Sequence, residues 1–195
     1  MQISITRQLD LIDMTLFLVT GLPGTGKSVL AKGLSRSLQS KPIYLSTDDI
    51  RRNIFDIAEH QYAEFGKEYY TPQNRQIVYN ALYTIVEILI KQNLPVIVDG
   101  TFHSEVNRKP LLEISNRYKC KFIVIKTICS EKVVKKRILD RKSSKDDISD
   151  ADFNIYLEVK KRFEPISNEH LTVNTEEDLI NNLKEVGNYI AKIQS

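Results

Sequence analysis

The sequence predicts a three-layer α/β fold, with one parallel sheet covered by helices on both faces. Three observations predict it. Short apolar runs rich in Val and Ile alternate along the chain with stretches of helical periodicity. The runs show no polar alternation, as strands buried on both faces require. At the first junction between the two kinds of segment stands "GLPGTGKS", Gly21 to Ser28.

The elements follow in order. Residues 1–13 fit a short strand, a loose helix or a frayed tail, and Met14 is an alternative start. "TLFLVT", 15–20, is a buried strand ended by glycine. Leu30, Leu34 and Leu38 then mark one face of a helix. "PIYLS", 42–46, is a second strand, and "TDDIRRNIF" opens a helix with acidic residues in its first turn. Residues 56–70 have no clear period. The next helix starts at Thr71 as N-cap with Pro72 at N1, and it keeps its apolar period to about residue 93. "PVIVDG", 95–100, is a strand ending in an aspartate. Residues 104–118 read as helical on the far side of Pro110, which splits or delays the helix. "KFIVIKTI" is a strand, and "SEKVVKKRILDR" a helix capped by Ser130. The polar loop "KSSKDDISD" leads to "ADFNIYLEVKKRF", a helix capped by Ser149 or Asp150. "HLTVN", 170–174, is the last strand, and the closing helix takes Thr175 as its cap with Asp178 three residues on.

A length of 195 residues fits one domain. The formal net charge of +3 permits an anionic partner, without the basic excess of a strong polyanion binder. No apolar run approaches the roughly 18 residues of a membrane helix, and "MQISITRQLDLIDM" lacks the pattern of a signal peptide. The expectation is a cytoplasmic protein that does not span a membrane. Cys120 and Cys129 lie at the two ends of one strand, too far apart to be bridged, and match no zinc spacing. They are expected to be reduced core thiols.

"GLPGTGKS" satisfies G-x-x-x-x-G-K-[ST] with the strand before and the helix after that the motif needs. Gly21, Gly24 and Gly26 let the backbone curl so that its N–H groups approach phosphate oxygens. The loop Gly21, Leu22, Pro23, Gly24, Thr25, Gly26, Lys27, Ser28 and Val29 is the expected nucleotide cradle. The opening helix adds free N–H groups and a positive dipole end. Lys27 is expected to reach the β- and γ-phosphates of ATP, and Ser28 to place its hydroxyl on Mg²⁺. The alternative is a Gly-Pro turn before a solvated lysine.

A phosphate loop fixes binding rather than reaction. In parallel sheets, ligands gather at the carboxyl ends of the strands. Asp48 and Arg51, after the second strand, share a helix face one turn apart. Asp48 beside a γ-phosphate can take a proton from an attacking hydroxyl, and Arg51 can hold an anionic group on a substrate. The plainer reading is helix capping by Thr47 or Asp48 with a surface arginine. Asp99 ends an apolar strand like a Walker B element. It can hold Mg²⁺ through water or order the phosphate loop, or simply cap a turn. Thr101 contacts substrate or the turn. Arg137 and Arg141, i and i+4, lead into a polar loop, a pattern that suits a lid over residues 137–150 whose arginine stabilises a transferring phosphoryl group. With Lys135 and Lys136 they also fit a solvated basic face.

Together, "GLPGTGKS", Asp48-Asp49-Ile50-Arg51, "VIVDGTF", Arg137 and Arg141, "SDADF" and "FEP" resemble the P-loop kinases of the polynucleotide kinase-like branch. That branch includes small predicted kinases labelled AAA-family ATPases and, more distantly, zeta toxins and chloramphenicol phosphotransferase. The resemblance spans about residues 15–175. It implies a P-loop NTPase fold with a five-stranded parallel sheet in the order 2-3-1-4-5. It implies ATP- and Mg²⁺-dependent phosphorylation of a hydroxyl, with Asp48 as general base. In the polynucleotide kinases the arginine matching Arg51 binds a substrate phosphate, and the lid arginine aligns best with Arg141, then with Arg137. Asn174 and Thr175 would lie near the adenine. The chain lacks the phosphatase domain that end-repair enzymes often carry, and lacks an AAA lid domain, so a monomer or dimer is expected rather than a hexameric motor. A substrate-side insertion is expected at 57–70, and "EYYTPQNR", 68–75, resembles that of the predicted kinases.

The acceptor stays open between a nucleic-acid 5′-hydroxyl and a small molecule. Arg51, Arg52, Lys67, Arg75, Arg108 and Lys109 can supply a basic funnel, and Tyr62, Phe65, Tyr69 and Tyr70 a stacking surface. The same aromatics can form a closed pocket or a packed insertion. The rival to a kinase is a nucleotide-binding switch or accessory ATPase with no acceptor.

Overall fold

A computed structural model describes residues 14–56, 67–140 and 149–194. A five-stranded sheet has the order β2-β3-β1-β4-β5, and every pairing is parallel. Its strands are β1 (Thr15–Gly21), β2 (Ile43–Ser46), β3 (Val96–Asp99), β4 (Lys121–Ile128) and β5 (His170–Asn174). This is the order implied by the resemblance. Central β1 is buried at every position, which explains its unbroken apolar sequence.

Alternation along the strands divides the core. Phe17, Val19, Ile97 and Ile125 face α1 (Lys27–Ser37) and α7 (Leu179–Gln194), where they meet Leu30, Leu34, Val186 and Ile190. Leu16, Leu18, Val98 and Val124 face α3 (Pro72–Lys91) and α4 (Glu105–Arg117), with Leu82, Val86 and Leu111. Each face therefore buries one helix pair, which fixes the three layers. A smaller cluster joins α5 (Glu131–Asp140) and α6 (Ser149–Arg162) through Val134, Ile138 and Tyr156, with Leu22 of the glycine loop packed against it.

Thr71 caps α3 as expected, accepting a hydrogen bond from the Asn74 amide at 3.2 Å with Pro72 behind it. Other ends differ from expectation. Helix α4 starts at Glu105 and runs through Pro110 without a break. Its N-terminus is satisfied from outside, because the Glu105 amide donates to Glu164 Oε2 at 2.6 Å while the Ser104 side chain makes no capping bond. Helix α7 starts at Leu179, and Asp178 rather than Thr175 accepts the Asn181 amide at 2.9 Å. Thr175 is held elsewhere, as described below. Helix α6 already includes Ser149 and Asp150, so neither precedes it as a cap. Cys120 and Cys129 are unbridged, and half-buried rather than core. No helix among the described residues is long and apolar enough to cross a membrane. The readings placed on residues 1–13, on Tyr62, Phe65 and most of the insertion, and on Arg141 and the polar loop to 148 lie outside the described residues.

Candidate functional site

The carboxyl ends of β1, β2 and β3 converge where the sequence placed the site. Gly21 ends β1 opposite Thr127 on β4. With φ at 146°, a Cβ there would stand 2.5 Å from the Thr127 carbonyl oxygen, so only glycine fits. Gly24 and Gly26 take left-handed φ values of 78° and 81°, and Gly26 is the N-cap of α1. The chain thus curls and then opens α1 with its first N–H groups unclaimed by any side-chain cap. Lys27 Nζ donates to the Leu22 carbonyl at 2.8 Å, lying across the loop it is expected to serve.

Buried threonines floor this loop. Thr25 Oγ1 donates to the Leu22 carbonyl at 2.7 Å and lies 2.8 Å from Thr127 Oγ1. Thr127 Oγ1 reaches the Thr20 carbonyl at 3.3 Å, and Thr20 Oγ1 donates to the Thr101 carbonyl at 2.6 Å. Thr175 Oγ1 donates to the Thr25 carbonyl at 2.7 Å. Strand ends that are distant in sequence are tied together beneath the loop. Thr101 therefore enters this frame through its backbone.

Asp99 ends β3 beside Ser46 of β2 and is 2% exposed. Tyr44 Oη donates to its Oδ2 at 2.8 Å, while Oδ1 is buried with no hydrogen-bond partner. Burial pushes the Asp99 carboxyl above its ordinary range, against the lowering effect of the Lys27 ammonium and the nearby Ser28 hydroxyl. Burial and the Asp99 charge likewise push the Tyr44 phenol up, so it remains a proton donor. An orphaned buried carboxylate oxygen beside a serine hydroxyl is the oxygen donor set that Mg²⁺ takes, and the glycine loop is a backbone cradle of the kind that takes phosphates. The residues present therefore fit both groups.

Helix α2 (Thr47–Ile54) carries the other half of the site. Its N-cap is Ser46, whose hydroxyl accepts from the Asp48 amide at 3.2 Å and the Asp49 amide at 3.5 Å. Neither Thr47 nor Asp48 is the cap. Thr47 is buried against Gly100, where a Cβ would come within 2.8 Å of it. The Asp48 carboxylate instead meets Arg51, whose Nη1 donates to Oδ1 at 2.7 Å. Arg51 is not a surface residue. Its side chain is 7% exposed against 55% for Asp48, its guanidinium sits 4.3 Å from the Tyr70 ring centre, and its Nε is buried without a partner. Ser46, which caps this helix two residues before Asp48, lies opposite Asp99 in the sheet, so Asp48 and Asp99 stand at adjoining strand ends.

Other expected site residues are used differently. Arg137 Nη1 donates to Thr175 Oγ1 at 3.0 Å and Nη2 to the Thr175 carbonyl at 2.5 Å. It borders a cavity of about 360 Å³ together with Gly26, Val29, Leu30 and Asn182, behind the glycine loop on the β5 side. Arg108, expected in a basic funnel, is 3% exposed. It donates to Glu105, to the Phe102 carbonyl at 2.8 Å and to the Pro165 carbonyl at 2.7 Å, pinning the "FEP" segment to α4. Lys109 pairs with Glu113 and Arg52 with Asp49. Tyr69 packs against Phe55. Sequence reasoning did not find Tyr44 or Thr127, and singled out Glu164 only within "FEP"; their partners lie tens of residues away with no spacing to signal them.

The AAA_33 family model, described as an AAA domain, matches residues 16–166. Among curated proteins, an uncharacterized protein of Mycobacterium tuberculosis, Rv2004c, is 33% identical over 99 residues, covering 50% of this chain and 20% of that protein. The L-seryl-tRNA(Sec) kinase of Methanococcus maripaludis is 28% identical over 129 residues, 65% of this chain and 46% of that protein. The matches thus span less than half the length of these relatives. Among solved structures, a putative kinase from Chloroflexus aurantiacus superposes with a TM-score of 0.68 at 20% identity, covering 91% of this chain and 96% of that one. An APS kinase of Mycobacterium tuberculosis in complex with AMPPNP and APS gives 0.62 at 18% identity, covering 93% and 97%. The fold is that of P-loop kinases, and the chain belongs to the AAA_33 family of AAA domains.

Proposed function

We propose that this protein is an ATP-dependent kinase that transfers the γ-phosphoryl group to an acceptor hydroxyl. The observation that carries the reading is Asp48 paired with the buried Arg51, at the strand end adjoining Asp99 and the glycine loop. The polyphosphate of ATP is held by the backbone N–H groups of residues 21–29, with Lys27 on the β- and γ-phosphates. Ser28 and, through water, Asp99 would hold Mg²⁺, which when bound neutralises charge on the transferring group.

Asp48 accepts the proton of the acceptor hydroxyl as that oxygen attacks. Arg51 holds the acceptor and, in releasing Asp48, frees the base only when an acceptor competes for the guanidinium. Thr101 orders the loop after Asp99 through its carbonyl, which leaves its side chain to contact substrate. Arg137 serves the nucleoside side of the donor pocket, because its partners lie at Thr175. Arg141, with Arg137 as second candidate, remains the arginine proposed to stabilise the transferring phosphoryl group.

The seryl-tRNA kinase relative and the kinase neighbours support a hydroxyl acceptor. A polynucleotide 5′ end is the weaker candidate among acceptors. Arg108 is consumed inside the protein, and Arg52 and Lys109 face carboxylates, which removes half of the proposed basic funnel. A compact acceptor reaching the exposed Asp48 carboxylate beside Arg51 fits better. Replacing Asp48 by Asn tests the assignment. Phosphoryl transfer should fall about 10²–10⁴-fold with ATP binding unchanged, and unchanged turnover would remove Asp48 from the mechanism.

A further inference from the structure

The β2 residue Tyr44 is not part of any motif, yet it meets the most constrained carboxylate of the site. Strand register sets Ser46 opposite Asp99 and Tyr44 opposite Ile97, so Tyr44 is diagonal to Asp99 on the face that α1 covers. Its ring packs against the core cluster of that face. Lys32 of α1 lies 5.5 Å from the ring centre on the same side. The phenol is therefore held between the sheet and α1, and its hydroxyl has little freedom to leave Oδ2, 2.8 Å away.

The result is an asymmetric carboxylate. One oxygen is satisfied, and the other is buried with no hydrogen-bond partner, the Ser28 hydroxyl and the Lys27 ammonium standing nearby. A buried polar atom left unpaired is costly and uncommon, and it is tolerated where a ligand completes it. Without Tyr44 the carboxylate would be free to turn toward the Lys27 and Ser28 side of the loop, whose charge and hydroxyl both act on it. Tyr44 removes that freedom by fixing the plane of the group.

We propose that Tyr44 is a positioning residue for a divalent cation. Its hydroxyl locks Asp99 so that Oδ1 stays available, directly or through water, to the Mg²⁺ that accompanies ATP. The inference rests on the reading of residues 21–28 as an Mg²⁺–ATP site, and it adds the residue that sets the cation's affinity. Hydrogen-bond partners of metal ligands commonly change metal affinity about 10–100-fold when removed.

The test is equilibrium binding of a fluorescent ATP analogue, titrated with and without Mg²⁺, on the wild-type chain and on Tyr44→Phe and Asp99→Asn. Phenylalanine keeps the ring and its packing and removes only the donor. The expected result is an unchanged affinity without Mg²⁺ and an Mg²⁺ enhancement reduced about tenfold in Tyr44→Phe, approaching that of Asp99→Asn. Mn²⁺ binding followed by electron paramagnetic resonance in the presence of the nucleotide should weaken in parallel. Full Mg²⁺ enhancement in Tyr44→Phe overturns the assignment, as does equal weakening with and without the cation, which would mark a purely structural role. If the wild-type chain binds the analogue without any Mg²⁺ effect, the underlying Mg²⁺–ATP reading falls instead, and the two failures are told apart by the wild-type titration alone.

Discussion

Between β1 and α1 the site is made of backbone, and between β2 and α2 it is made of side chains. The glycine loop owes its shape to three positive-φ glycines and to threonine hydroxyls that tie its carbonyls to β1, β4 and the turn after β5. Asp48 and Arg51 owe theirs to a single ion pair, a tyrosine ring and one helix cap. A donor half that binds the same phosphate chain in every catalytic cycle gains from being preshaped. In the proposed reading, an acceptor half whose base is masked by its own arginine would be opened by the ligand it binds. The comparison predicts that damage to the first half abolishes binding, while damage to the second changes reaction and specificity.

The largest effect should come from Gly21→Ala. Strain at φ 146° and a 2.5 Å clash with the Thr127 carbonyl together cost about 4 kcal/mol. Chemical denaturation should show the loss, and nucleotide binding should vanish with it. A stable, nucleotide-binding variant would mean that the loop is far softer than the geometry implies.

Arg108→Ala comes next and probes the α4 clamp, which belongs to neither half. It removes bonds to Glu105, Phe102 and Pro165 from a buried position, and stability should fall by about 2–3 kcal/mol. Because the clamp lies on the α4 side, the affinity for ATP per folded molecule should hold. Loss of ATP affinity in the folded variant would mean that the glycine loop depends on the α4 clamp after all.

Thr127→Val keeps the shape and deletes one hydroxyl from the floor of the loop. The expected cost is about 1 kcal/mol, with ADP affinity falling several-fold and Thr127→Ser restoring both. Adenosine, which lacks phosphates, should bind the variant as it binds the wild type.

The smallest effect concerns pH. Burial, followed by the charge of Arg75, holds the imidazole of His103 below its ordinary 6.5, with Glu164 opposing and Arg162 and Arg108 adding to the shift. The folded state therefore prefers neutral His103. As pH falls below 6.5, the unfolded chain takes up the proton first, and stability is lost until the lowered folded value is passed. Above 6.5 the residue contributes no pH dependence. Thermal denaturation of His103→Gln against wild type should differ in slope only in that acidic window.

The contrast also explains what the sequence revealed. Backbone geometry at the glycine loop demands particular residues at fixed spacing, so Gly21, Gly24, Gly26, Lys27 and Ser28 were legible as a unit. The sheet was legible because strands buried on both faces have no polar alternation to hide them. Asp48 and Arg51 were legible as neighbours on a helix, but their pairing, and the depth of Arg51, depend on Tyr70 closing over it from elsewhere. Helix ends failed where the cap came from a distant residue. Glu164 serves α4 across 59 residues, and Thr175 is drawn away from α7 by Thr25 and Arg137. Arg108 looked like a surface cation because nothing in its local sequence records the carbonyls of 164 and 165 that surround it.

The central claim is that the protein moves a phosphoryl group rather than merely binding or hydrolysing ATP. The most direct measurement follows the γ-phosphate of labelled ATP in the presence and absence of separate pools of oligonucleotides, nucleosides, sugars and antibiotics. The account predicts label transferred to a hydroxyl-bearing compound in one pool, with ATP consumption stimulated by that pool and abolished in Asp48→Asn. Label released only as inorganic phosphate, at one slow rate whatever is added, would contradict it and leave a nucleotide-dependent switch.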